Sequence, residues 1–273
     1  MLDGPLLADW LPVSATALAF LIVAAGLAGW VDAVVGGGGL IQLPALVIGM
    51  PKDVATPFIL GTNKLSSFFG TLSASWVYLR RIRVHLALLI PLVVGAFGGS
   101  AVGAALSRYV PREVLTPVVL VAVVIVAVYT LLRPKMGLHH EPRHTGRAAV
   151  AWRSGLIGVL VGFYDGILGP GTGSFFVILL VGVLGFGFLQ ASVNAKIANL
   201  TTNLAALIVY GVHGEIILLL GIAMAAANMT GGFLGAHMAT KNGNGFVRIV
   251  FLVVLSLLIV KLAADTIAQF TAA

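Results

Sequence analysis

Two lysines stand in unusual company. "FILGTNKLSSFFG" (58–70) sets Lys64 among apolar, small and hydroxylated residues, and "SVNAKIANLTTN" (192–203) gives Lys196 a similar setting. Thr62, Asn63, Ser66, Ser67 and Thr71 surround the first; Asn194, Asn199, Thr201, Thr202 and Asn203 surround the second. Several lie three or four positions from the lysine, on or near its helical face. Burying an ammonium in an apolar medium costs on the order of 3 kcal/mol on membrane-insertion scales, so each lysine needs compensation. Two cations and many neutral donors, brought together, describe a site for a compact anion.

A second pair of features stands ahead of each lysine. "GWVDAVVGGGG" (29–39) and "GFYDGILGPGTG" (162–173) each place an aspartate, Asp32 or Asp165, about one helical turn before a glycine-rich break. A short apolar piece follows each break, so a helix N-terminus with unsatisfied N–H groups is expected to point inward, where it would attract an anion. Gly38, Gly39, Gly171 and Gly173 would let the backbone approach an oxyanion, and Thr172 and Ser174 add hydroxyls. The aspartates have two readings. Their carboxylates tie down amides or pair with the lysines (Lys64 with Asp32 being one such pair), or they take up protons, because burial disfavours their charged form. The latter would couple anion movement to a proton gradient.

These side chains need elements to hold them, and composition says which kind. Of 273 residues 59% are hydrophobic and 9% charged, whereas a soluble domain carries about a quarter charged residues. Nine acidic and sixteen basic side chains cannot cover a globular surface of this size, so lipid must. The net charge of +7 does not call for nucleic acid, because the basic residues cluster beside apolar runs, as at cytoplasmic membrane edges. The absence of cysteine excludes disulfides and thiolate metal sites, and no cofactor is expected. Asp3 and Asp9 precede the first apolar run, unlike the basic start of a signal peptide, so that run is expected to be retained.

The expected fold is an all-α polytopic membrane protein with about eight full spans and two short or re-entrant segments. Long apolar runs occupy 13–35, 54–79, 84–107, 113–133, 148–168, 190–212, 215–239 and 246–269; short ones occupy 40–50 and 173–185. A piece of about twelve residues makes a helix of roughly 18 Å, too short for a hydrocarbon core of about 30 Å. The chain also repeats itself. Beyond the two aspartate–glycine stretches, 61–79 aligns without a gap on 193–211, setting Lys64 on Lys196 and Tyr78 on Tyr210, then Gly99 and Gly103 on Gly231 and Gly235. The predicted organisation is a first transmembrane repeat (13–133), a basic cytoplasmic linker (134–147) and a second repeat (148–269). If the short segments complete a crossing the repeats are inverted; if they dip and return the repeats are parallel. The placement of "RRIR" (80–83), the linker, Lys241 and Arg248 on one side favours inversion.

With both openings, the short segment after each, the lysine-centred element and the charged central linker in view, the chain resembles the sulfite exporter TauE/SafE family, also described as 4-toluene sulfonate uptake permeases. The resemblance covers roughly 15–269 and rests on the pattern of two repeats more than on one string. It implies a bacterial inner-membrane transporter of sulfite, sulfonates or sulfoacetate. Such groups are compact anions with three oxygens, which ammonium groups, amides and hydroxyls can hold in place of water. The second repeat departs from the first at Pro170 and Thr172, so the half-sites need not contribute equally. The expected partners are a small anionic substrate and the lipid bilayer, with a homodimer open as an assembly. An anion channel and an intramembrane enzyme acting on lipid phosphates are the competing classes; no Ser/His/Asp arrangement, metal cluster or nucleotide motif supports the enzyme.

Overall fold

Helices form here because hydrocarbon offers no partner for a bare peptide group, so each segment must satisfy its own backbone. The computed structural model describes residues 13–110, 121 and 146–271, and among these the regular structure is helical throughout. The elements are α1 (Ala15–Val35), α2 (Gly39–Gly49), α3 (Thr56–Leu79), α4 (Leu86–Leu106) with a 3₁₀ turn at Ser107–Tyr109, α5 (Arg147–Ile167), α6 (Thr172–Leu184), α7 (Phe188–Val212) and α8 (Leu218–Thr271). The span expected over 113–133 and the linker expected over 134–147 lie almost wholly outside the described residues. The two runs expected at 215–239 and 246–269 are two helical stretches of α8 that meet at a kink at Gly243, whose φ of 72° and ψ of −163° are not helical.

Local chemistry sets the ends. The Ser14 hydroxyl caps α1 by accepting from the Ala17 amide at 3.2 Å. α1 stops at Gly36, whose φ of 82° is open to glycine at no steric cost, and α6 stops at Gly185 in the same region. Pro57 stands in the first turn of α3, where a missing N–H costs nothing. By length and apolarity α1, α4 with its 3₁₀ turn, α7 and Leu218–Gly243 of α8 suffice to cross a membrane; α2 and α6 are short apolar helices.

Contacts fix the relative directions. Gly38 lies against Ala28 and Gly49 against Leu21, so α2 runs back along α1. α4 and α5 run the same way, with Gly95, Gly99 and Gly103 on the backbones of Gly155, Val159 and Phe163. α1 and α8 do likewise, with Gly231 on Gly26 and Gly235 on Trp30. α3 and α7 run in opposite senses: Gly61 faces Tyr210, while Asn203 donates to the Thr71 hydroxyl. Small residues at these crossings let backbones touch, the usual way to pack helices where lipid removes any hydrophobic drive between them.

Two apolar clusters form the interior. One gathers Val31 and Val34, Ala74, Val77 and Tyr78, then Phe176, Val181, Val193 and Ala198. The other gathers Leu21 and Ala25, Leu43 and Leu46, Ile59 and Leu60, then Ala206, Tyr210 and Met224. On α3, Asn63, Lys64 and Ser67 fall between the two, and on α7 Asn199 and Asn203 do the same. A polar layer is thus shut between apolar layers.

Candidate functional site

The polar layer is built by α1, α3, α5 and α7 and by the two glycine breaks. Lys64 of α3 donates to the Asp165 carboxylate of α5 at 2.6 Å, and both side chains are 2% exposed. Lys196 of α7 donates to the Asp32 carboxylate of α1 at 2.7 Å and also to the Asp32 backbone carbonyl. The pairing is crossed: each lysine takes the aspartate of the other half of the chain. Lys64 does not meet Asp32, and this corrects the within-half pairing entertained from the sequence. The aspartate preceding each break is nearer its own lysine in sequence, but each lysine side chain reaches the carboxylate of the other half.

The two breaks converge between these pairs. Gly36 and Gly173 touch backbone to backbone, such that a Cβ on Gly36 would stand 2.2 Å from a backbone carbon of Gly173. The Ser174 amide donates to the Gly36 carbonyl at 3.0 Å and the Ser174 hydroxyl to the Val35 carbonyl. One expected donor at the α6 N-terminus is therefore spent on the opposite break. Tyr78 donates to the Ala33 carbonyl at 2.7 Å, and Tyr210 to the Gly166 carbonyl at 3.2 Å, so the aligned tyrosines brace the last turns of α1 and α5.

A cavity of about 20 Å³ sits at the convergence, lined by both aspartates, Lys64, Asn63, Ser67, Asn199, Asn203, Thr172 and Gly36, Gly39, Gly169 and Gly173. That is room for a single water-sized guest. Of the candidate residues, Asp32, Asp165, Lys64, Asn63, Asn199, Gly39, Thr172 and Gly173 meet there. Lys196 stands behind Asp32 and does not line the cavity. Thr62 accepts from the Ile217 amide, Asn194 donates to the Gln190 carbonyl, and Thr202 donates to the Asn199 carbonyl. Gly38 packs on α1, and Gly171 on Leu40. The Asn63 and Asn194 side-chain oxygens and the Ser66 hydroxyl are buried with no partner, which leaves unspent polar capacity in this layer.

Ser67, Asn203, Gly36 and Gly169 also line the cavity, though none was assigned to the binding site from the sequence. Ser67 and Asn203 carried a signal, as polar neighbours of the lysines. Gly36 and Gly169 carried another, since both open a break and both adopt positive φ, 82° and 89°. A further buried contact, Asn228 of α8 to Gln42 of α2, carried none.

The family model described as "Sulfite exporter TauE/SafE" matches residues 21–262. A Sinorhizobium protein called "Probable membrane transporter protein ORF9" is 36% identical over 91% of this chain and 93% of its own length. A "Probable membrane transporter protein" of Haemophilus influenzae is 34% identical over 91% of this chain and 95% of its own, and one of Escherichia coli K12 is 33% identical over 94% and 93%. No solved structure matches. With several helices apolar enough to cross a bilayer, this is a multi-pass protein of the bacterial inner membrane. The chain belongs to the sulfite exporter TauE/SafE family of membrane transporters.

Proposed function

We propose that the chain is a secondary transporter, without enzymatic activity, that moves a small sulfur-containing oxyanion (sulfite, a sulfonate or a sulfoacetate-type anion) by alternating access with ion or proton coupling. The observation that carries this is the pair of crossed lysine–aspartate bridges, shut with a small polar cavity between two apolar clusters. Buried ion pairs are weak evidence for stability, because desolvation consumes most of their attraction, and ionisable groups inside a membrane bundle mark a transport path.

Lys64 and Lys196 supply the positive field. Asn63, Asn199, Thr172 and the backbone at Gly39 and Gly173 replace the hydration of the guest when the layer widens. Gly38 and Gly171 shape the starts of α2 and α6, Thr62 holds the start of α8, and Asn194 and Thr202 bond to the backbone within α7. The repeats at 13–133 and 148–269 are inverted in this reading, which the opposite senses of the aligned helices α3 and α7 support. Rocking one repeat against the other would open the two apolar clusters in turn, never together. A centre with only water-sized room favours such stepwise exposure over a continuous pore.

Uptake into proteoliposomes of labelled sulfite, methanesulfonate, sulfate and phosphate tests the reading. Saturable uptake of a sulfur oxyanion that responds to an imposed pH gradient is expected. Flux that does not saturate and follows only the anion's own electrochemical gradient, uncoupled from the pH gradient, would indicate a channel, and no flux of any of the four would refute the assignment.

A further inference from the structure

The two bridges are not equivalent, and their difference assigns the coupling step. Lys64 faces the cavity and is anchored by the Asp165 carboxylate, with which it shares the lining. Lys196 lies behind Asp32 and is held twice, by the carboxylate and by the carbonyl of the same residue. Losing its carboxylate partner would leave Lys196 a backbone anchor at the end of α1. Losing Asp165 would leave the Lys64 ammonium facing the cavity.

Charge fixes the stoichiometry. The two lysines and two aspartates sum to zero in a largely buried layer flanked by apolar clusters on both sides. Adding an anion to a neutral buried site leaves an uncompensated charge, which low-dielectric surroundings make prohibitive. One added proton restores neutrality for one monoanion, and Asp165 is where it can also free a cavity-facing cation. The groups around Asp165 allow this. α3 presents Lys64, α1 presents Asp32 across the cavity, and α7 presents Lys196, already committed, and Tyr210, with Arg108 and Glu215 acting on that same hydroxyl. α4 presents Ser100 and Ser107, α6 presents Thr172, and α5 itself carries Tyr164, whose hydroxyl donates to the Pro170 carbonyl.

We infer that the substrate anion and the Asp165 carboxylate compete for the Lys64 ammonium, so that each monoanion enters with one proton, carried on Asp165, in an electroneutral symport. No covalent bond is made: the proton converts the carboxylate to the acid, and the ammonium turns from it to the guest. Asp32, the more accessible carboxylate at 14% exposure, stays charged on Lys196. The inference rests on the transporter reading above and extends it to the coupling ion, its carrier and the charge of the substrate: a sulfonate or hydrogensulfite, in preference to a dianion such as sulfate.

The test uses the full chain in vesicles of phosphatidylethanolamine and phosphatidylglycerol containing a pH-reporting dye. The probe is the sulfur oxyanion that wild type accumulates, methanesulfonate first because it brings no proton of its own. The expected result is one proton entering per methanesulfonate, no response to a potential clamped with potassium and valinomycin, and up to about a tenfold rise in uptake for each unit of external acidification. Flux is expected to fall in both Asp165→Asn and Asp32→Asn, with the acid response lost only in Asp165→Asn. A net charge moved per turnover, uptake without protons, or an acid response lost in Asp32→Asn and kept in Asp165→Asn would overturn the inference while leaving the transporter reading intact. If both variants fail to fold, the wild-type proton count and its response to potential decide alone. Absence of any oxyanion flux in wild type would refute the reading and the inference together.

Discussion

The Lys64 ammonium and the Asp165 carboxylate, 101 residues apart in sequence, meet at 2.6 Å, and Lys196 meets Asp32 in the same crossed manner. Neither half of the chain can neutralise its own lysine in this arrangement. The bridges tie the halves together at the depth where the cavity lies, in addition to the backbone contacts of α4 with α5 and of α1 with α8.

Removing one partner should therefore be worse than removing both. Lys64→Met strands a buried carboxylate and is expected to cost about 3–5 kcal/mol, while Lys64→Met/Asp165→Leu should recover most of that. Thermal unfolding of the single and double variants in detergent gives the coupling energy directly. Strictly additive losses would show that the two side chains do not depend on one another.

The meeting of the breaks makes a second prediction. A Cβ on Gly36 would stand 2.2 Å from backbone of Gly173, and one on Gly173 would stand 2.4 Å from Gly36. Backbone cannot step aside as a side-chain tip can, and Gly36 also needs its φ of 82°. Gly36→Ala and Gly173→Ala are both expected to lower the melting temperature and abolish uptake, whereas Gly98→Ala, where a Cβ meets nothing within 4 Å, should do neither.

The aligned tyrosines should both prove stabilising, to different degrees. Tyr78→Phe leaves the Ala33 carbonyl without its hydroxyl donor, and Tyr210→Phe does the same to Gly166. Each loss of a buried hydrogen bond is expected to cost about 1–3 kcal/mol, read as a lowered melting temperature. Tyr210→Phe should cost the more, since it also takes a partner from the Ser107 hydroxyl.

Directions within the bundle can be checked by cross-linking, which the lack of native cysteine makes clean. Thr71→Cys/Asn203→Cys places thiols where the side chains now touch on α3 and α7. A short bifunctional thiol reagent should join them within one chain and stop uptake, because it ties the two halves at their contact. Efficient cross-linking with undiminished uptake would show that α3 and α7 need not separate.

Much of the helix plan was legible because hydrocarbon makes apolar length a direct readout: the runs expected at 13–35, 40–50 and 173–185 correspond to α1, α2 and α6 within a few residues. The runs expected at 215–239 and 246–269 likewise match the two stretches of α8 on either side of the kink at Gly243. The site was legible as a set of types and much less as a set of partners. The duplication brought out Asp32, Lys64, Asp165 and Lys196, but one sequence says nothing of which aspartate a lysine reaches. That depends on α3 lying against the far half, a packing choice made by glycines and alanines spread over α4, α5 and α8. Ser67 and Asn203 were visible as neighbours but not as lining, because helical spacing gives a face and not what the face meets. The α6 N-terminus reads as an anion site from its glycines, yet the Ser174 amide is taken by Gly36, a contact between segments far apart in the chain.

The central claim is that the positive charge of both lysines is what admits the anion. The measurement that reaches it most directly compares uptake of labelled sulfite and methanesulfonate by wild type, Lys64→Met, Lys196→Met and the Lys64→Met/Asp165→Leu variant, each checked for folding by its melting curve. Flux should vanish in all three variants, including the double variant that keeps its fold: both Lys64 variants lose the cation facing the cavity, and Lys196→Met leaves Asp32 to repel the guest. Wild-type flux persisting in both single lysine variants would contradict the account.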